Sequence, residues 1–266
     1  MSVPNTNTFS LWDVCNEIYS SHSAGMNLTQ CFVDATGTFD PSYMNNEDNG
    51  LRQLSEFRNY SHKLALVYDY DGNPYQPIRI GNQVWLNSDF HCTHFADGTE
   101  VPFKTSVSQG SSDFNNASVA YTRVLYGGST YGYEKSFYYN AGAAFMTHQL
   151  AIPGWHIPTL NDLDILASNL GGGSVAGGHL KYNLAPNNTW NNPNTGADNS
   201  SGFTAQAYGM INNVAFNFYG QNMYFWTSEY PVNGIYKAGL LSYNSAALNS
   251  TNVLANYGLS VRLIKD

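Results

Sequence analysis

The stretch "LALVYDYDGNPYQPIRIGNQVWLNSDF", residues 64–90, is where the character of the chain changes. Before it, apolar residues recur at helical spacing; within it they alternate. The stretch reads as a strand, a turn at Asp71, Gly72 and Asn73, a second strand through Ile78 and Ile80, a turn at Gly81 and Asn82, and a third strand from Val84 to Leu86. A meander of this kind begins an antiparallel sheet. The chain is therefore predicted to be α+β, with a small helical module in front of the sheet domain.

Upstream, "SLWDVCNEIY" (residues 10–19) opens on Ser10 as an N-cap and puts Leu11, Val14, Cys15 and Ile18 on one face. A second short periodic piece runs from Leu28 to Val33, and "LRQLSEFRNY" (51–60) carries Leu51, Leu54 and Phe57 on a stripe. So short a module is marginal as an isolated monomer. The expectation is that residues 1–62 form an attachment and oligomerisation module whose Leu11, Trp12, Val14, Ile18, Leu51, Leu54 and Phe57 pack against other copies of the chain, as a homotrimer, or against other proteins of the particle that carries it. Downstream, helical periodicity is read in "EKSFYYNAGAAFMTHQL" (134–150) and in "TLNDLDILASNLGG" (159–172), where Thr159 caps and Gly171 stops the helix. The remainder is rich in Gly, Asn and Ser, with short apolar strands. Residues 63–266 thus read as one domain with two helices, antiparallel sheets and long loops.

Composition narrows the function. Charged residues make up 11% of the 266, below the roughly 25% of an average soluble protein, while aromatics make up 15%, with 20 Tyr and 24 Gly. The net charge of −8 and the absence of a Lys or Arg cluster argue against nucleic acid as a partner. Nothing approaches the roughly 18 apolar residues of a membrane span. Neither a basic n-region nor an apolar h-region stands at the start, so synthesis in a cytoplasm is expected. Cys15, Cys31 and Cys92 are an odd set, which argues against a disulfide framework. A neutral, adhesive surface on a chain of this kind predicts a virion protein, made inside a cell and working outside it.

Several motifs, in order, carry a family resemblance: "DYDGNPYQPIRIGNQVWLNSDF", "ADGTEVPF", "PGWHIPTLNDLDIL", "NLGGG" followed by "AGGHLK", "GADNSSGFTAQAYGMI", "FWTSE" and "GLSVRLIKD". From about Leu66 to Asp266 the chain resembles the major paralogous domain named after Fibrobacter, the FISUMP domain. The resemblance implies a variant of the C-type lectin fold, a two-helix, two-sheet core with a long irregular loop region for ligands. Residues 51–60 resemble short segments of phage and prophage tail or fibre proteins. Together these imply a tail or head fibre that recognises a host-surface glycan or glycoprotein, with a bacterial cell-surface or secreted adhesin as the alternative. A distant third reading, through the same fold, is an enzyme related to formylglycine-generating oxidases; such enzymes need late cysteines, and this chain has none after Cys92.

Other chemistry is set aside. His91, Cys92 and His94 in "FHCTH" invite a metal, but His91 and His94 would face opposite ways on a strand and lack a partner pair at finger-like spacing. Asp69, Asp71 and Asn73 open like a calcium loop, yet Ile80 stands where the closing Glu belongs, so a hairpin turn is expected. His156 is read as structural. Glu229 has no carboxylate partner nearby in sequence and no G-x-S-x-G elbow occurs, so no catalytic residue, no metal and no cofactor is predicted. Trp85, Trp155 and Trp226 are expected in the core.

The last stretch, "LLSYNSAALNSTNVLANYGLSVRLIKD" (240–266), joins two strands by a run without charge. Tyr supplies amphipathic contact area at low entropic cost and Asn adaptable hydrogen bonds. On that ground Tyr219, Asn222, Tyr224, Tyr230 and Asn233 are predicted to touch the ligand. Tyr236, Tyr243, Asn244, Asn249 and Asn252 are predicted to continue the same surface.

Overall fold

A computed structural model describes residues 9–19, 27–35, 54–57, 64–104, 119–125, 134–146, 148–212, 215–229 and 232–266. The chain divides into two compact units, Met1–Ala65 and Leu66–Asp266. The boundary lies three residues beyond the one expected at residue 62, where helical spacing gives way to alternation.

In the first unit α1 spans Leu11–Tyr19 and α2 spans Leu28–Asp34, followed by a 3₁₀ turn at Leu54–Phe57. Ser10 and Asp13 exchange hydrogen bonds at the start of α1, and Asn27 Oδ1 accepts from the Gln30 N–H at 3.0 Å to cap α2. Val14, Cys15, Ile18, Cys31 and Phe57 are buried together. This corrects the interface expectation for Val14, Ile18 and Phe57: the unit has a core of its own, and those three side chains are already spent inside it. Leu11 and Leu54 are half-buried against that core, Trp12 is 55% exposed, and Leu51 lies outside the described residues.

The second unit opens with two hairpins. Strand β1 (Val67–Tyr68) pairs β2 (Pro74–Tyr75), and β3 (Pro77–Ile80) pairs β4 (Gln83–Leu86), both antiparallel. Gly72 at φ +80° and Gly81 at φ +62° supply the left-handed turn positions that the sequence demanded. Next come β5 (Tyr121–Leu125) paired with β6 (Glu134–Tyr139), a π turn at Gly142–Met146, and β7 (Trp155–His156). Helix α3 (Leu160–Asn169) starts on a capping box between Thr159 and Asp162, and α4 (Gly173–Leu180) follows directly. Hairpin β8 (Met210–Asn212) with β9 (Ala215–Asn217) leads into β10 (Asn222–Trp226), β11 (Ile235–Ser242) and β12 (Asn249–Leu254), an antiparallel sheet in that order. The last strand, β13 (Ile264–Lys265), returns between β4 and β7 in a four-stranded sheet ordered β3-β4-β13-β7. The architecture is α+β with antiparallel strand pairing throughout its named sheets.

Two cores share these strands. On β10, Met223 and Phe225 enter a cluster with Trp85, Leu166 and Leu180, while Tyr224 and Trp226 enter one with Leu86, Tyr139 and Val261. Successive side chains of a strand point to opposite faces, so a strand buried on both sides feeds two cores alternately. Trp85 and Trp226 are fully buried and Trp155 nearly so, as expected.

Two helix readings change. Residues 134–139 form a strand where a helix was expected, because Ser136, Phe137, Tyr138 and Tyr139 are all buried, and an unbroken apolar run has no period to separate strand from helix. The second helix of the unit is instead α4, "GSVAGGHL", whose glycines are needed for packing: a Cβ on Gly177 would lie 2.3 Å from the Ala247 carbonyl oxygen, and one on Gly178 2.4 Å from that of Gly196.

Candidate functional site

A cleft of the second unit has a volume of about 560 Å³, within the ~300–1,000 Å³ typical of small-molecule sites. Its walls are Ala144 and Phe145, His148 through Ala151, His156 and Ile157, and Ser228, Glu229 and Tyr236. The π turn brings Phe145 to the cleft, where its ring stacks on Tyr236 with centroids 5.8 Å apart and planes 12° off parallel. Trp226, fully buried, meets both rings edge-on, at 5.5 Å from Phe145 and 5.9 Å from Tyr236. The floor is thus a braced aromatic platform. π turns of this kind recur where a helical turn must present a side chain to a site.

Polar groups ring the platform. Glu229 Oε1 accepts the Leu160 N–H at 2.7 Å, placing a carboxylate at the positive end of α3. His156 sits between Asp266, 2.7 Å from its Nδ1, and Asp162, 3.3 Å from its Nε2. Burial raises the Asp162 pKa, but hydrogen bonds from Thr159 and His156 outweigh it and hold the carboxyl below its usual range. His148 Nδ1 lies 2.5 Å from Asp97, whose carboxyl is held low by the Thr99 N–H and then by His148. Among the described residues no Lys or Arg lines the cleft. An apolar face stacked on Phe145 and Tyr236, with hydroxyl or amide groups at its edge, is what this arrangement accommodates.

The predicted contact residues are not gathered into one surface. Tyr224 and Tyr236, 7% and 9% exposed, belong to the core, which corrects their reading as exposed anchors; inward-facing positions of β10 and β11 take large apolar side chains whatever the composition of the neighbouring loops. Among the described residues Tyr236 is the one member of the set that lines the cleft, from beneath. The Tyr219 ring rests on Phe216 at 6.0 Å, and Asn222 Nδ2 donates to the Tyr224 hydroxyl at 2.8 Å. Asn233 is exposed in the turn before β11 at φ +54°. Tyr243 is half-buried on the second core, and Asn244 is exposed beside it. Asn249 and Asn252 are exposed on β12, Asn249 lining a groove beside α3 and Asn252 Oδ1 accepting from Lys237 Nζ at 2.6 Å. Tyr230 lies outside the described residues.

Phe145, His148, Gln149 and Ser228 were not anticipated at a site, and His156 and Glu229 were set aside. No local pattern marks them, since the cleft is assembled by tertiary contact between segments about eighty residues apart.

Around "FHCTH", Asp69, Asp71 and Cys92 bring one ligand atom each within 4.8 Å of one another. Asp69 is occupied by Asn73 and the Tyr75 hydroxyl, Asp71 by Thr93 and His94, and burial pushes the Cys92 thiol up to about 12. These groups tie the β1–β2 turn to the following loop, as a hairpin turn requires.

This second unit is an α+β domain that carries a braced aromatic cleft. The chain belongs to the family of the Fibrobacter succinogenes major domain, whose family model matches residues 78–265. No curated protein and no solved structure matches it.

Proposed function

We propose that this chain is a surface-displayed recognition protein. Its second unit acts as a C-type-lectin-like binding domain for a host-surface glycan or glycoprotein, and its first unit attaches it to its carrier as a homotrimer. Return of the last strand beside β4, two consecutive helices and long loops support the lectin-like reading. Family membership supports a bacterial cell-surface adhesin as the carrier form; the likeness of residues 51–60 to phage fibre segments supports a virion fibre as the second.

The cleft floored by Phe145 and Tyr236 carries the proposal. It is a binding rather than a catalytic site in this reading, because Glu229 Oε1 is committed to the start of α3 and both histidines are committed to carboxylates. The test uses labelled full-length chain on a glycan array and on whole bacterial and animal cells. Ser228→Trp, which fills the cleft from an exposed position, is expected to abolish binding while melting like the parent, and Phe145→Ala, which removes half the platform, to abolish binding at a cost in stability. Binding by both variants at the parent level, or no binding by the parent to any array feature or cell, overturns the assignment. Light scattering at three times the chain mass is the expected result for the assembly; a stable monomer refutes it.

A further inference from the structure

A second cavity, of about 450 Å³, lies elsewhere in the same unit, and its chemistry differs. It is lined by Ser88, Asp89, His91, Ser136, Phe137, Tyr182, Thr204, Gln206, Tyr208 and Arg262, and shares no residue with the aromatic cleft. Arg262 is 1% exposed, in the "SVRLIKD" terminus. Its Nε donates to Asp89 Oδ1 at 2.7 Å and its Nη1 to the carbonyls of Leu86 at 3.2 Å and Phe203 at 2.7 Å, with the guanidinium 4.3 Å over the Phe203 ring. Among the described residues no bond to Nη2 is found, which leaves its two N–H groups unused there. A buried guanidinium is costly unless its donors are met, so a free donor edge on a cavity wall is a recognition element.

Three further groups have capacity to spare. Asp89 Oδ2 receives only a long bond, 3.3 Å, from Ser136. His91 Nδ1 lies 3.1 Å from the Asp89 carbonyl, an acceptor only, so in the neutral ring Nδ1 carries the proton and Nε2 is the acceptor. The Tyr208 hydroxyl makes no hydrogen bond within the described residues, and burial lifts its pKa to about 12, so it stays a donor. By contrast Gln206 and Thr204 are occupied, with Thr189 and Asn87. Thr204 holds φ +53°, an uncommon conformation for a non-glycine residue that settles its side chain against Asn87 at the cavity wall.

We propose that this cavity is a binding site for a neutral hexose-type ring. Donors at Arg262 and Tyr208 share the cavity with acceptors at Asp89 and His91, and such a mixed set suits hydroxyls, each of which accepts one bond and donates another. Phe137 and Tyr182 offer apolar surface for the carbons of the ring. Charge selects against acids: Asp89 already neutralises Arg262, so a carboxylate or phosphate would meet a buried carboxylate with no surplus cation to compensate. The site needs no metal ion in this reading.

The experiment is calorimetric titration of the full chain, in the presence of a chelator, with the methyl glycosides of glucose, galactose and mannose and with methyl glucuronide. At least one neutral glycoside is expected to saturate, and methyl glucuronide to bind at least tenfold more weakly than it. Tyr208→Phe, which removes one donor, and Ser88→Phe, which occupies the cavity from its rim, are each expected to weaken that binding about tenfold or more, equivalent to about 1.4 kcal/mol. Melting curves matching the parent establish that both variants are folded, and Ser228→Trp in the other cleft should leave glycoside binding unchanged. The proposal is overturned if no neutral glycoside saturates, if both cavity variants bind like the parent, or if the glucuronide is preferred. Because Ser228→Trp separates the sites, loss of cell binding without loss of glycoside binding tests the aromatic cleft alone.

Discussion

Replacing Lys181 with Met tests how the loop between β11 and β12 is held. Lys181 is fully buried at the end of α4, and its ammonium donates to the carbonyls of Thr195, Ser242 and Ser245 at 2.9, 3.0 and 2.8 Å, 5.3 Å from the Trp190 ring centre. No carboxylate shares the site in these contacts. Hydrogen bonds to a charged donor contribute roughly 1.5–3 kcal/mol each, so three contribute roughly 5–9 kcal/mol. Against this stands desolvation, which pulls the Lys181 pKa from 10.5 down to about 8 and so costs about 3 kcal/mol at neutral pH. The net expectation for Lys181→Met, whose apolar chain fills similar space but leaves three carbonyls without their donor, is a loss of about 2–6 kcal/mol at pH 7.

The pH dependence supplies a second readout on the same pair of proteins. Between pH 8 and 10.5 the folded chain has released the Lys181 proton while the unfolded chain still holds it. The unfolded state then binds more protons, and stability from this group rises with pH across that window, levelling off above it and staying constant below it. Urea denaturation of parent and Lys181→Met at a series of pH values from 7 to 11 cancels the other tyrosines and lysines in the difference. The difference should widen from pH 8 upward by about 3 kcal/mol. A variant as stable as the parent at pH 7, or a difference that narrows or stays flat through the window, refutes the reasoning.

Three further outcomes are expected. Gly177→Ala should destabilise by about 1–3 kcal/mol or more in chemical denaturation, because the clash with the Ala247 carbonyl outweighs the ~1 kcal/mol that Ala gains over Gly in a helix; a stabilised variant would show that the 246–247 backbone yields freely. Thr159→Ala removes the side-chain acceptor of the Asp162 N–H and half of the capping box, and should cost about 1 kcal/mol in the same assay, with no change in ligand binding. Cys15 and Cys31 are buried thiols with their sulfurs 3.6 Å apart, so a mild oxidant should remove two of the three thiols counted in denaturant and stabilise the first unit by about 3 kcal/mol; retention of all three thiols, or destabilisation on crosslinking, counts against that geometry.

Local chemistry made some of this protein readable from its residues. Gly72 and Gly81 announce turns because only a residue without Cβ takes their φ at no cost, and the Thr159–Asp162 pair announces a helix start because it satisfies exposed backbone N–H groups within one turn. The indole side chains of Trp85, Trp155 and Trp226 sit in apolar runs that water would not solvate, so burial followed from type and neighbours.

Where two segments distant in the chain decide the outcome, local reading fails. "GSVAGGHL" has poor helix propensity and forms α4 because the backbones of Gly196 and Ala247 approach it more closely than any side chain would allow. "SFYY" pairs as a strand since both its faces find partners. Tyr236 and Tyr243 look alike in sequence, yet the first stacks on Phe145 and the second rests half-buried on the other core. Asp89 and Arg262 are 173 residues apart and meet at 2.7 Å, and the aromatic cleft joins Phe145, His148 and His156 to Ser228, Glu229 and Tyr236. Composition and period are properties of neighbours along the chain, whereas a site is made by side chains that the packing of both cores forces together, and only the tertiary structure carries that pairing.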